Sequence, residues 1–231
     1  MPSKQKTLLF SAGFVSSIGS FAVICTCLAT PEWVSGEVQF TGTNYSGIAN
    51  INLGLFQTTR AKKITQGLAF DTTKTQHEVF QVLKETNGIK IIHVLVIILL
   101  VIGLISSFLG SVTTCLNSVS NPYLTFLGPL GVYVWTGING IPILLAMILF
   151  AINIEANKLP KEIAVAVDQT TDVFGSTQNT IYGYSFWLLL LSVFLNCGTI
   201  AIIYYYQHMR NSQQVEKERP METASRDVIL F

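Results

Sequence analysis

The chain has 231 residues, half of them apolar and only 12% charged, with a formal net charge of +1 and a mean hydropathy of +0.49. These values exclude a water-facing globular domain as the main body of the chain and leave the bilayer as its solvent. With charge so near zero and no Lys/Arg stripe interleaved with aromatic residues, no nucleic-acid partner is expected.

In chain order, residues 1–6 carry Lys4 and Lys6 ahead of a first apolar run, 7–29. That run exceeds the roughly 7 to 15 residues of a signal-peptide core, so it reads as an uncleaved transmembrane helix. A long polar loop, 30–90, follows. Within it 34–40 and 48–56 have strand character between Gly, Thr, Asn and Ser turn residues. Val79, Phe80 and Leu83 fall at helical spacing and predict a short amphipathic helix over 77–85, stopped at Asn87-Gly88. The second span is 91–114, followed by a short loop (115–127), a third span (128–152), a second polar loop (153–185), a fourth span (186–206) and a charged tail (207–231) with the composition of a disordered segment.

None of the four spans contains Asp, Glu, Lys or Arg. At about 1.5 Å per helical residue each crosses about 30 Å of hydrocarbon, and lipid forces them to be helical because only a helix satisfies its own backbone N–H and C=O groups. The expected fold is an all-α four-helix transmembrane bundle with a small extracellular β-sheet in the first loop. An even number of spans places both termini on one side.

Flanking charges are nearly balanced, with Lys4, Lys6, Arg210, Lys217 and Arg219 on the terminal side and Lys84, Lys90, Lys158 and Lys161 on the other. The single N-x-[ST] acceptor, Asn44, lies in the first loop. Its glycosylation would require that loop to be luminal or extracellular, and both termini cytoplasmic. Trp33, Trp187 and Tyr204 to Tyr206 stand where interface anchors are expected.

Helices in lipid associate through small residues and a few hydrogen bonds. Ala12, Ser16 and Ser20 in the first span, and Gly103, Ser106, Ser107, Gly110 and Ser111 in the second, supply such faces. Asn139 and Asn196 lie deep in the third and fourth spans, where an unpartnered amide is costly, so both are expected to bond across helices. Pro142, after Gly137 and Gly140, is expected to kink or loosen the third span.

No catalytic, cofactor or metal constellation emerges. Among Asp, Glu, Lys, Arg and His, His93 is the one residue inside a span, near the outer end of the second, and it reads as structural; Cys25 and Cys27 lack both redox and zinc-ligand spacing. The four cysteines lie in or beside apolar runs, so no disulfide-stapled ectodomain is expected. Cys115, at the end of the second span, is a candidate S-palmitoylation site. Ile229, Leu230 and Phe231 form a candidate PDZ-type C-terminus able to add a strand to a sheet edge.

Trp33 followed by Gly54-Leu55-Phe56 resembles a degenerate Trp…Gly-Leu-Trp signature of the claudin and peripheral-myelin-protein superfamily, without the two cysteines that follow it in claudins. A fuller resemblance is to the clarin family. It is carried by Met1 to Lys4, Asn52 to Phe56, Ser120 to Tyr123, Leu127 to Pro129, Gly131 to Tyr133, Tyr182 to Trp187 and Arg226 to Phe231, over essentially the whole chain. The resemblance implies a non-enzymatic tetraspan protein of plasma membrane and vesicles, associated in relatives with sensory hair cells and actin-linked projections. Its expected partners are lipid, scaffold proteins at the tail and membrane proteins at the outer loop, with homo-oligomers left open. Competing readings are a channel or auxiliary channel subunit with Asn139 and Asn196 along a polar path, and a claudin-like adhesion protein.

Overall fold

The computed structural model describes residues 3–42, 46–66, 69–83, 87–119, 128–167 and 173–227. Helix α1 (Ser3–Ala29) leads into strands β1 (Val34–Thr41), β2 (Ser46–Leu53), β3 (Gln57–Gln66) and β4 (Ala69–Glu78). A single turn, α2 (Val79–Val82), precedes α3 (Asn87–Val119). Helices α4 (Pro129–Glu155) and α5 (Leu159–Val167), strand β5 (Val173–Tyr182) and α6 (Tyr184–Asp227) complete the order.

Among the described residues four helices are long and apolar enough to cross a membrane, over Lys4–Ala29, Gly88–Val119, Pro129–Glu155 and Tyr184–Val215. In the bundle α3 packs against both α1 and α4, α1 packs against α6, and a less extensive α4–α6 seam closes the ring. The expected small-residue faces are there, shifted on α1. Gly13, Ser17 and Ser20 are buried, whereas Ala12 is exposed. The Ser107 hydroxyl donates to the Ser17 carbonyl at 3.1 Å and Ser16 donates to the Leu195 carbonyl at 2.8 Å, so adjacent faces of α1 serve α3 and α6. Most other buried hydroxyls bond back to their own helix, as Thr114 does to Gly110 and Thr136 to Val132.

The sheet differs from expectation in extent. It has five antiparallel strands in the order β4-β3-β2-β1-β5, and the fifth comes from the second loop. Its core-facing residues, among them Val34, Val38, Phe40, Ile51 and Leu53, form one cluster with Phe150, Ile154, Leu159 and Ile163 beneath. Sheet and bundle therefore share a core.

Three further corrections have physical causes. The helix expected over 77–85 is only one turn, because His77 and Glu78 complete β4 by pairing with Thr58 and Gln57; cross-strand pairing overrides local helical spacing. Asn87-Gly88, expected as a stop, begins α3 instead, Asn being as suited to opening a helix as to ending one. The tail expected to be disordered from 207 is helical through Asp227. Its Gln, Glu, Lys and Arg residues are good helix formers, and extending an existing helix avoids the nucleation cost.

Candidate interaction site: a collar at the sheet end and an amide node in the bundle

The sheet end of the bundle is held by a collar of backbone-directed hydrogen bonds. A helix leaves its last four carbonyls unpaired. In α1 the Trp33 indole donates to the Cys27 carbonyl at 2.8 Å, and the Thr30 hydroxyl donates to the Thr26 carbonyl at 2.8 Å. The same hydroxyl lies 2.7 Å from that of Ser185 on α6. The Ser185 amide donates to the Glu32 carbonyl at 3.2 Å, and the Gly183 amide to the Trp33 carbonyl at 2.8 Å. Trp33, expected as an interface anchor, is instead fully buried and edge-on to Phe150 with ring centroids 5.0 Å apart. Trp187 is 55% exposed, in the manner of an anchor.

Gly54 and Leu55 belong to this collar. A Cβ on Gly54 would meet the Pro31 Cα at 2.6 Å, so the chain passes too close there for any side chain. Leu55 is buried, and its carbonyl lies 2.7 Å from Nε2 of His93 on α3. Phe56 turns outward, 44% exposed, beside Phe80 at 6.4 Å. Three of the four signature residues thus lock the first loop to α1 and α3.

The family described as Clarin-2-like matches residues 4–203. The chain is 44% identical to clarin-3 of Mus musculus and 40% identical to clarin-3 of Homo sapiens, each across the full length of both chains. The chain belongs to the clarin family. It is also 28% identical to clarin-1 of Rattus norvegicus over 85% of this chain and 86% of that one. As a clarin with four apolar spanning helices it is an integral multi-pass membrane protein in contact with lipid.

In this clarin Asn139 and Asn196 meet in mid-bundle. Asn139 Nδ2 donates to Asn196 Oδ1 at 3.1 Å and to Ser20 Oγ at 3.3 Å, and Ser20 and Ser192 hydroxyls lie 2.7 Å apart. The Asn139 carbonyl oxygen faces Gly103 of α3, where a Cβ would come within 3.5 Å of it. One amide therefore hydrogen-bonds to α1 and α6 and faces α3. Asn139→Leu is expected to destabilise the bundle by about 0.6 to 1.7 kcal/mol, with Asn196→Leu adding less than its own separate effect. A double-mutant cycle in detergent unfolding measures this, and strictly additive losses would show that the two amides do not act as a pair.

The outer face of the sheet carries a polar cleft of about 400 Å³ lined by Ser35, Glu37, Asn50, Asn52, Asn179 and Thr180. Register shifts interrupt the β1–β5 pairing beside it, and Asn179 takes φ 51°, a left-handed conformation that asparagine tolerates. Below the sheet's edge Tyr182 donates to Glu155 at 3.0 Å. Burial, and then the neighbouring carboxylate, push its phenol up to about 12.

Cys115 lies exposed on α3 near the terminal end, and Cys25, Cys27 and Cys197 are likewise free thiols. Of the anchors expected at that end, Tyr204 and Tyr205 are exposed, while Tyr206 is buried edge-on to Phe10 at 5.1 Å. Asn44 and Ile229 to Phe231 lie outside the described residues. The collar bonds of Ser185 and His93 were missed, because their partners, the Thr30 hydroxyl and the Glu32 and Leu55 carbonyls, lie far away in sequence. Helix α5 did leave a signal: Pro160 and Glu162 near its start, with Leu159, Ile163 and Ala164 at helical spacing and buried.

Proposed function

We propose that this clarin is a non-enzymatic membrane organiser that presents its sheet on the extracellular side and its termini to the cytoplasm, at the plasma membrane and secretory vesicles. The observation that carries this reading is the polar cleft on the outer face of a sheet fixed to the bundle by a shared core. A rigid, polar, solvent-facing surface suits recognition of another membrane protein's ectodomain. The tail contributes the second face, with Ile229 to Phe231 as a PDZ-type ligand and Cys115 as an acylation site that would hold α3 to the inner leaflet. The pairing of Asn139 with Asn196 favours a packing role over a polar conduction path, which supports the organiser reading above a channel. A part in sensory-cell membranes with actin-based projections is carried over from the family alone.

Topology tests the whole scheme. In cells expressing a tail-tagged chain, glycosidase is expected to remove a mobility increment that Asn44→Gln abolishes, with the tag reached by antibody only after permeabilisation. A tag exposed on intact cells would overturn the orientation and both partner faces with it.

A further inference from the structure

At the sheet end, beside α1, a groove of about 470 Å³ opens between that helix and the turn joining β2 to β3. Its helix wall is Cys25, Leu28 and Ala29; its opposite wall is Leu55 and Phe56; Thr30 and Gln57 lie at its polar end. Ala29 is exposed and Phe56 is 44% exposed. We propose that this groove is a binding site for a membrane sterol.

Three observations select that occupant. First, the groove is continuous with the lipid-facing surface of a spanning helix. Cys25 stands one turn beyond Phe21, on the face of α1 where Phe21 packs beside Phe108 of α3 at 6.0 Å. Hydrocarbon running up the α1–α3 seam therefore leads into the groove. Second, among the described residues the lining contains no Lys, Arg, Asp or Glu. A phospholipid phosphate seated there would lose water without gaining a cation, whereas a single uncharged hydroxyl matches what is offered. Gln57 Oε1 accepts from Gln76 Nε2 at 2.8 Å, and the NH2 group of a primary amide is a donor suited to a ligand oxygen. Third, the walls include the small side chain of Ala29, Pro31 and the Phe56 ring, apolar surface of the kind a fused-ring ligand packs against. They are also firm, since Gly54 is pressed against Pro31 and the Leu55 carbonyl is held by His93. The site is largely pre-formed, so little ordering is spent on binding.

The test uses the purified full chain in phosphatidylcholine vesicles containing a photoactivatable sterol, with labelled peptides mapped by mass spectrometry. The label is expected on 25–31 or 55–57 and is expected to be competed by unlabelled sterol. Ala29→Trp, which fills the groove, is expected to lower labelling about tenfold, whereas Ala22→Trp, on an exposed stretch of α1 outside the groove, leaves it unchanged. A label mapping elsewhere, or undiminished in a folded Ala29→Trp chain, overturns the proposal. Labelling of the same peptides by a photoactivatable phospholipid with none by the sterol overturns it too, in favour of an acyl chain. The peptide map in the unsubstituted chain decides the matter even if the tryptophan variants fail to fold.

Discussion

Trp33→Ala is expected to destabilise the folded chain by about 3 to 5 kcal/mol, the largest loss of any single truncation at the collar. The indole is fully buried at the junction of sheet and bundle. Its ring fills space against Phe150, and its N–H satisfies the Cys27 carbonyl at the end of α1. Truncation leaves a cavity and strips the Cys27 carbonyl of its short hydrogen bond, with only the Thr30 hydroxyl at 3.4 Å remaining, and the two costs add. Trp33→Phe separates them: it keeps most of the volume, removes the donor, and is expected to cost about 1 to 2 kcal/mol. Thermal unfolding of the tagged chain in a fixed detergent, read by the loss of its monodisperse peak, measures both. An interface tryptophan lying in headgroups would lose little in either substitution, so near-neutral behaviour of Trp33→Ala would move the side chain out of the core.

The contrast between Trp33 and Trp187 shows what was legible in the sequence. Both follow or open an apolar span, and position alone assigns both to the interface. Only the paired backbone around Trp33, through Leu53 on one side and Gly183 on the other, turns its ring inward. The spans themselves were readable because lipid leaves one solution for an uncharged run of that length. Extra turns at their ends were not, since polar residues at 87–90 and 207–227 fit helix or coil equally well. The node at Asn139 and Asn196 was readable for the same reason as the spans: a buried amide in hydrocarbon has few places to go.

The fifth strand was hidden for a different reason. Val34 pairs with Leu53 and also with Tyr182. The first partner is a hairpin neighbour that strand patterning suggests; the second arrives only after two more strands and four helices, α2 to α5, have been laid down. Nothing local in 173–182 demands a strand, because that segment takes its hydrogen bonds from β1 alone and its alternation is weak. Sequence pattern therefore located the sheet in one loop, while the folded chain builds it from both.

Gly183→Ala is the second substitution with a large expected effect, and it tests that two-loop construction directly. A Cβ there would lie 2.2 Å from the Glu32 carbonyl oxygen and 2.8 Å from its carbon. Both are backbone atoms of the link between α1 and β1, so no side chain can swing aside to make room. Relief requires β5 and the start of α6 to retreat from that link. Retreat would lengthen the Gly183 to Trp33 and Ser185 to Glu32 hydrogen bonds together. The expected cost is about 2 to 4 kcal/mol. Gly175, on the same strand, is the control: a Cβ there meets nothing closer than the Gln39 carbonyl oxygen at 3.6 Å, an ordinary contact. Gly175→Ala is expected to change stability by no more than about 0.5 kcal/mol. Equal losses at the two glycines would mean that β5 contributes only generic strand propensity; a loss confined to Gly183 would identify the close crossing of the two loops as what seats the sheet on the bundle.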